Sequence, residues 1–527
     1  MSEAQLPPHL AGLRSPDAYS HPTGEIGLIQ THISFLLFAG DFVYKVKKPL
    51  DLGFLNFTTL ELRRHFCEEE VRLNRRLCAD TYLGVVPIVV RAEGVRVDGD
   101  GEAVEYAVRM RRLPEQGMMT PLLERDGVSA AMVRAVAERM AAFHANSERS
   151  EAIDALGGLD TAMANWRENF EQTESFIGRT ISQEQFDDVR AFIERVGDED
   201  GELFHARVRE GRARDGHGDL RADAVCFKDT GVCIFDCIEF NERFRYSDVA
   251  ADIAFLAMDL EDRGRGDLSD ELMGGYLAAS LDSTLPLLLP FYKCYRAYVR
   301  GKVDGFQLDQ PEVDAAQKER ATESAQRSFA LAHRYATQTQ TPALIITVGA
   351  SGSGKSYLAN ALAAHLGAAI FSSDVVRKQL LGIDPMERRV EPLDSGIYDP
   401  ESTERTYEAL LAEARRWLER GKPVVLDASY LQRASRQAAQ RLAGEMGVRF
   451  LALACEADES LVRERLSQRE GEERSASDGR WEIYEAQQKR REAIDELPKA
   501  SRLAVDTARP LTQQIASAVE RLDAIEM

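Results

Sequence analysis

Between Gly24 and about Leu113, apolar and polar positions alternate with a period near two over five short stretches: 26–29, 33–38, 42–46, 85–91 and 103–110. One charged helical pattern interrupts them. It opens at Thr58, with Glu61 at capping-box spacing, and continues through Phe66, Glu69, Glu70, Leu73 and Leu77. A strand-rich lobe over 24–113 with a single helix is predicted. From Gly127 to about Ala336 the period becomes helical, as in Val133 to Phe143 and Ala250 to Met258, broken by short strands at 225–227 and 232–235. The polar stretch 310–340 reads as a solvated helix running into a linker at 336–342. Beyond it, apolar strands at 343–348, 369–371, 424–426 and 450–454 alternate with long helical patterns, the signature of a parallel sheet.

This division predicts a first domain over 1–335, with lobes 24–113 and 127–335, and a second over 343–527. The class is multidomain α/β and α+β. A length of 527 residues, 44% hydrophobic and 29% charged, supplies several cores and excludes wholesale disorder. No apolar run approaches the roughly 20 residues of a membrane span, and no signal or transit pattern opens the chain, so the expected compartment is the cytoplasm. Lys and Arg number 66 against 87 Asp and Glu, a net charge of -21, which repels polyanions. A nucleic acid partner would need a local basic pocket. The seven cysteines show no metal or redox spacing and are expected to be reduced, mostly buried thiols. A basic stripe, Lys293, Arg296 and Arg300, faces either an anion or acidic residues of a neighbouring helix.

The strongest chemical signal is Gly349-Ala-Ser-Gly352-Ser353-Gly354-Lys355-Ser356, a complete G-x-x-x-x-G-K-[ST] between a strand and a helix. Its glycines let backbone N–H groups turn around an anion. Lys355 reaches the outer phosphates, and Ser356 is a magnesium ligand. Asp374, after the next strand, is placed to take a proton from an acceptor hydroxyl, and Arg377 to hold an anionic group. Asp427 ends an apolar strand, as a carboxylate that helps hold the metal should. Arg465 and Arg469 share a helical face and can neutralise a transferring phosphoryl group, under a polar stretch, 471–479, able to close over the site.

These residues resemble the small P-loop kinases, the gluconate kinase-like, zeta-toxin-like and polynucleotide 5'-kinases, over about 342–498. The resemblance implies a doubly wound P-loop domain that transfers a phosphoryl group from Mg-ATP, with Asp374 as base.

A second constellation lies in the first domain. His217-Gly218-Asp219 precedes one short strand, and Asp236 ends the next, 17 residues after Asp219. That is the arrangement of a kinase base and a metal ligand. Lys45 and Lys47 share a strand face, and a helix glutamate could hold whichever contacts the phosphates; the other would be an edge-strand guard. With Glu70 and Asp252, these residues resemble the aminoglycoside phosphotransferase-like kinases over about 26–258. That resemblance implies a bilobal protein-kinase-like fold, Asp219 as catalytic residue and Asp236 as metal ligand. Two positions depart from it: Ala224, beside Asp223, replaces the expected metal-binding Asn, and 24–27 is a poor glycine-rich loop. The whole chain resembles bacterial two-part proteins that join such a domain to a P-loop, AAA-type ATPase or kinase.

The expected function is phosphoryl transfer from ATP, with Mg2+, to a hydroxyl of a small molecule. A nucleotide-sensing regulator with a P-loop switch and an RNA 5'-hydroxyl kinase are the alternatives.

Overall fold

The computed structural model describes residues 6–311, 313–389, 391, 395–470 and 476–526, without the side chains of 469 and 470. By contacts the chain gathers into two compact units: Met1–Ala135 with Phe143–Arg167 and Gly197–Asp259, and Val136–Ala142 with Glu168–Val196 and Leu260–Met527.

In the first unit, β1 (Gly27–Gln30), β2 (Ser34–Ala39), β3 (Phe42–Lys47), β4 (Tyr82–Arg91), β5 (Gly94–Val97) and β6 (Ala103–Arg111) form an antiparallel sheet ordered β1-β2-β3-β6-β4-β5. The alternation in β3 sorts its side chains. Tyr44 and Val46 pack with Leu10, Leu13 and Ile88 on one face, while Val43 packs with Cys67 and Val71 of the helix Leu60–Cys78 on the other. Lys45 and Lys47 therefore fall on the helix side. Sequence periodicity passed over β5, four residues after a tight turn.

The helix starts one residue later than its capping pattern suggested. Asn56 Oδ1 accepts from both the N–H and the hydroxyl of Thr58, so Thr59 becomes the N-cap and accepts the Leu62 N–H.

Further along, β7 (Ala213–Asp215) pairs with β10 (Tyr246–Asp248), and β8 (Val225–Lys228) with β9 (Gly231–Ile234). Two of the seven cysteines are not the reduced thiols expected from their spacing. Cys78 at the helix end and Cys233 on β9, with Cα atoms 4.9 Å apart, form a disulfide. Their sequence separation of 155 hides the approach from any local pattern. The other five cysteines are free and buried.

The second unit holds five parallel strands, β11 (Ala343–Val348), β12 (Ala369–Ser372), β13 (Val424–Asp427), β14 (Arg449–Glu456) and β15 (Arg502–Asp506), ordered β12-β13-β11-β14-β15. Their side chains bury against the helices Lys355–Leu366 and Leu511–Asp523. The crevice at their carboxyl ends is where such sheets bind ligands.

The helices Gly266–Ser280, Leu285–Phe306 and Ala315–Thr337 belong to this unit. A Cβ on Gly274 would lie 3.1 Å from Ala361 Cβ, so the first of them packs closely on the P-loop helix. The Ile370 N–H donates to Ser283 O at 2.9 Å and covers the open side of edge strand β12. In the basic stripe, Lys293 pairs with Glu261 at 2.6 Å and Arg300 with Asp304 at 3.6 Å. Among the described residues no helix is long and apolar enough to cross a membrane.

Candidate functional site

In the second unit, β11 leads into the loop at 349–354 and then into the helix Lys355–Leu366. Gly352 and Gly354 sit at φ +80° and +84°, where any side chain is strained. Thr507 Oγ1 donates to Ser353 O at 2.8 Å and accepts from Arg465 Nη1 at 2.9 Å. Arg465 Nη2 also donates to Thr507 O, so this guanidinium braces the flank of the loop. The side chain of Arg469 and residues 471–475 of the expected closing segment lie outside the described residues.

Strand ends bring the other groups to the loop. Ser372, the last residue of β12, lies in register with Asp427 of β13, and Asp374 follows two residues on. Asp427 is buried and takes the Thr347 hydroxyl at 3.2 Å. Among the described residues, Asp374 accepts no hydrogen bond, and Lys355 and Ser356 make none through their side chains. Burial pushes the Asp374 carboxyl above its ordinary 3.8; Lys355 opposes this, and Asp427 and Asp478 add to it.

Arg377 is buried. Its Nη1 donates to Ile397 O and Thr403 Oγ1, its Cζ lies 4.9 Å from the Tyr398 ring centroid, and among the described residues its buried Nε has no partner. The Tyr398 hydroxyl in turn donates to Asp478 Oδ2 at 2.6 Å, and Asp478 pairs with the buried Lys378.

In the first unit the charges meet one another. Glu70 bridges both lysines, with Oε1 2.8 Å from Lys45 Nζ and Oε2 2.7 Å from Lys47 Nζ. Lys45 also contacts Asp236 at 2.7 Å, and Lys47 contacts Glu239. Burial would raise the Glu70 carboxyl, yet the two lysines hold it below its ordinary range. Lys45 draws Asp236 down as well, and burial pushes Glu239 up. Glu69 turns away to Arg72.

The His217–Asp219 loop is clamped from behind. Asp252 accepts the N–H groups of His217 and Gly218 at 2.6 and 2.8 Å, and His144 Nε2 lies 3.3 Å from it. Because His217 Nδ1 accepts the Asp219 N–H, its Nε2 carries the proton and donates to Phe235 O at 2.9 Å. Burial lowers the His217 pKa. Asp219 faces Arg221 at 3.2 Å, and Arg221 also holds Asp223 at 2.9 Å. Ala224 is buried, and its carbonyl accepts the Phe235 N–H.

Sequence reasoning missed Glu239, Arg221, Thr507, Tyr398 and Asp478. Only Glu239, three residues after Asp236, had a local signal.

An uncharacterized protein of Mycobacterium tuberculosis, Rv2004c, is 32% identical over 455 residues, covering 86% of this chain and 88% of the relative. This chain belongs to the same family. Another relative in that family, the uncharacterized protein Mb2027c of Mycobacterium bovis, matches to the same extent. Within the family architecture, residues 344–494 match the model described as an AAA domain.

Among solved structures, a gluconokinase from Sinorhizobium meliloti 1021 is 24% identical, covering 35% of this chain and 94% of that one at a TM-score of 0.26. A choline/ethanolamine kinase family protein from Mesorhizobium loti is 12% identical, covering 60% and 94% at a TM-score of 0.35.

Proposed function

We propose that the protein is an ATP-dependent phosphotransferase whose main site is the P-loop, acting on a hydroxyl of a small molecule in the cytoplasm. The carrying observation is Asp374: a carboxyl of raised pKa, without a hydrogen-bond partner among the described residues, just past the end of β12 and under the influence of the Lys355 and Arg377 charges. A switch that only hydrolyses nucleotide has no need of such a group. Asp374 takes the acceptor proton, Arg377 holds an anionic part of the acceptor, and Lys355 meets the charge that builds on the phosphates.

The residues fit a metal: Ser356 has a hydroxyl without a described partner, and Asp427 keeps carboxylate lone pairs beyond the one taken by Thr347. Mg2+ held by these two would neutralise phosphate oxygens and orient them for transfer. Arg465 supports the loop wall, and Arg469 is assigned to the transferring group.

For the first unit, the reading favoured by its geometry is a degenerate kinase-like site that binds nucleotide without transferring phosphate. Arg221 ties up Asp219, and Ala224 offers no metal ligand. In this reading the sequence division into a phosphotransferase-like module over 1–335, a linker at 336–342 and a catalytic module over 343–527 differs from the compact units chiefly by the helices of 266–337, which gather with the P-loop sheet.

The test is a screen of a metabolite extract for mass gains of one phosphate, with wild type beside Asp374→Asn. A product formed equally by both proteins would overturn the assignment.

A further inference from the structure

The helix Trp481–Arg490 packs directly on the P-loop. Tyr484 shares a small apolar cluster with Ala350, Val462 and Leu466, and one turn on, Gln487 Oε1 accepts the Ser351 N–H at 2.7 Å. Just before the helix, a Cβ on Gly479 would stand 2.9 Å from Ser351 Cβ, so the chain is pressed against the same loop residue twice.

The backbone donor settles the amide's orientation. An N–H can be met only by the carbonyl end, which leaves Nε2 as the other end of a fixed, planar group. Among the described residues Nε2 donates to nothing. An amide nitrogen held beside a phosphate-binding loop, with two unused N–H bonds, is an oriented donor for an anionic oxygen.

We infer that Gln487 is a ligand of the terminal phosphate of a nucleoside triphosphate, with Oε1 anchored to Ser351 and Nε2 donating to a γ-phosphate oxygen. The inference rests on the P-loop reading above and deepens it. Gln487 thereby distinguishes triphosphate from diphosphate. Ahead of the helix, Asp478 takes the Tyr398 hydroxyl at 2.6 Å and the Arg389 N–H at 2.8 Å.

The experiment is calorimetry on the full chain with Mg2+, using ADP and the non-hydrolysable imido analogue of ATP, and following only the site that Lys355→Ala removes. Gln487→Glu keeps an oxygen for the Ser351 N–H and replaces the donor with an acceptor. It should weaken the ATP analogue by about 10-fold or more and leave ADP within about twofold. Gln487→Ala, which adds no charge, should weaken the analogue by a smaller factor, about threefold. Equal loss for both nucleotides would make Gln487 a brace of the loop and overturn the inference, as would no change for either. If no site depends on Lys355, the P-loop reading itself falls. If that site exists and the two nucleotides still respond alike, only the role of Gln487 does.

Discussion

In the second unit Lys355 and Asp374 make no hydrogen bond or ion pair among the described residues, whereas in the first unit Lys45, Lys47 and Asp219 each meet a charged partner within 3.2 Å. The two sites carry the same kinds of side chain in different states of satisfaction. A group that must meet a ligand's charge retains an unmet one of its own in the folded chain, and that lowers stability. A group neutralised internally contributes to the fold and must give up a partner before it can bind. Site-like composition therefore says less about activity than the pairing of each charge does.

The largest loss of activity is expected for Lys355→Ala. ATP turnover should fall by about 1000-fold, since the lysine meets charge that accumulates in transfer, and a steady-state phosphate-release assay reads the loss. Unchanged turnover in a folded protein would move the active site elsewhere.

The reverse result is expected at Glu70. Glu70→Gln leaves two buried lysines short of a carboxylate and should lower stability by about 3 kcal/mol in denaturant unfolding. A change below about 0.5 kcal/mol would show that water already serves these charges.

Asp374→Asn separates function from stability. Transfer should drop by about 100-fold while ATP affinity holds within about twofold, as for a lost general base. The sign of the pH effect follows from the raised pKa. Above the ordinary 3.8 the ionised form costs folding free energy, so the Asn variant should melt a few degrees higher at pH 7 and lose that advantage as pH falls toward 4. Transfer by wild type should show an acid limb above the ordinary aspartate range. A melting temperature lowered at pH 7 would mean that the carboxylate is stabilising and the comparison false.

The smallest effect concerns nucleotide in the first unit. A Lys355→Ala protein should retain one nucleotide site by calorimetry, and Asp236→Ala should weaken it by about 10-fold. Arg221→Ala with Ala224→Asn frees Asp219 and restores a metal ligand, so detectable transfer in that double variant would show that these two positions silence the site. A wild-type protein with one site, lost wholly with Lys355→Ala, would leave the first unit as a scaffold.

Much was legible in the chain itself because it depends on neighbours in sequence. The P-loop's strand, glycines and helix follow from local backbone preferences, and Asp374 and Asp427 follow from apolar strands that end in a carboxylate. The alternation in β3 put Lys45 and Lys47 on one face before any partner was known. Pairing was not legible, because it joins residues far apart: Lys45 meets Asp236 across 191 positions, and Ser351 meets Gln487 across 136.

The same holds for the helical segment 266–337. Its periodicity predicted helices, and only tertiary packing, through Gly274 against Ala361 and Ser283 against the edge of β12, set them in the unit of the P-loop. A period specifies which face of an element is apolar and leaves open what will cover it. Whether Asp219 is free or held by Arg221 turns on a rotamer two residues away, which no pattern of residue types encodes. The sequence thus determined the elements and the chemical types present at each site, while the tertiary structure decided which charges remain available, because availability depends on what else folding brings within hydrogen-bond reach.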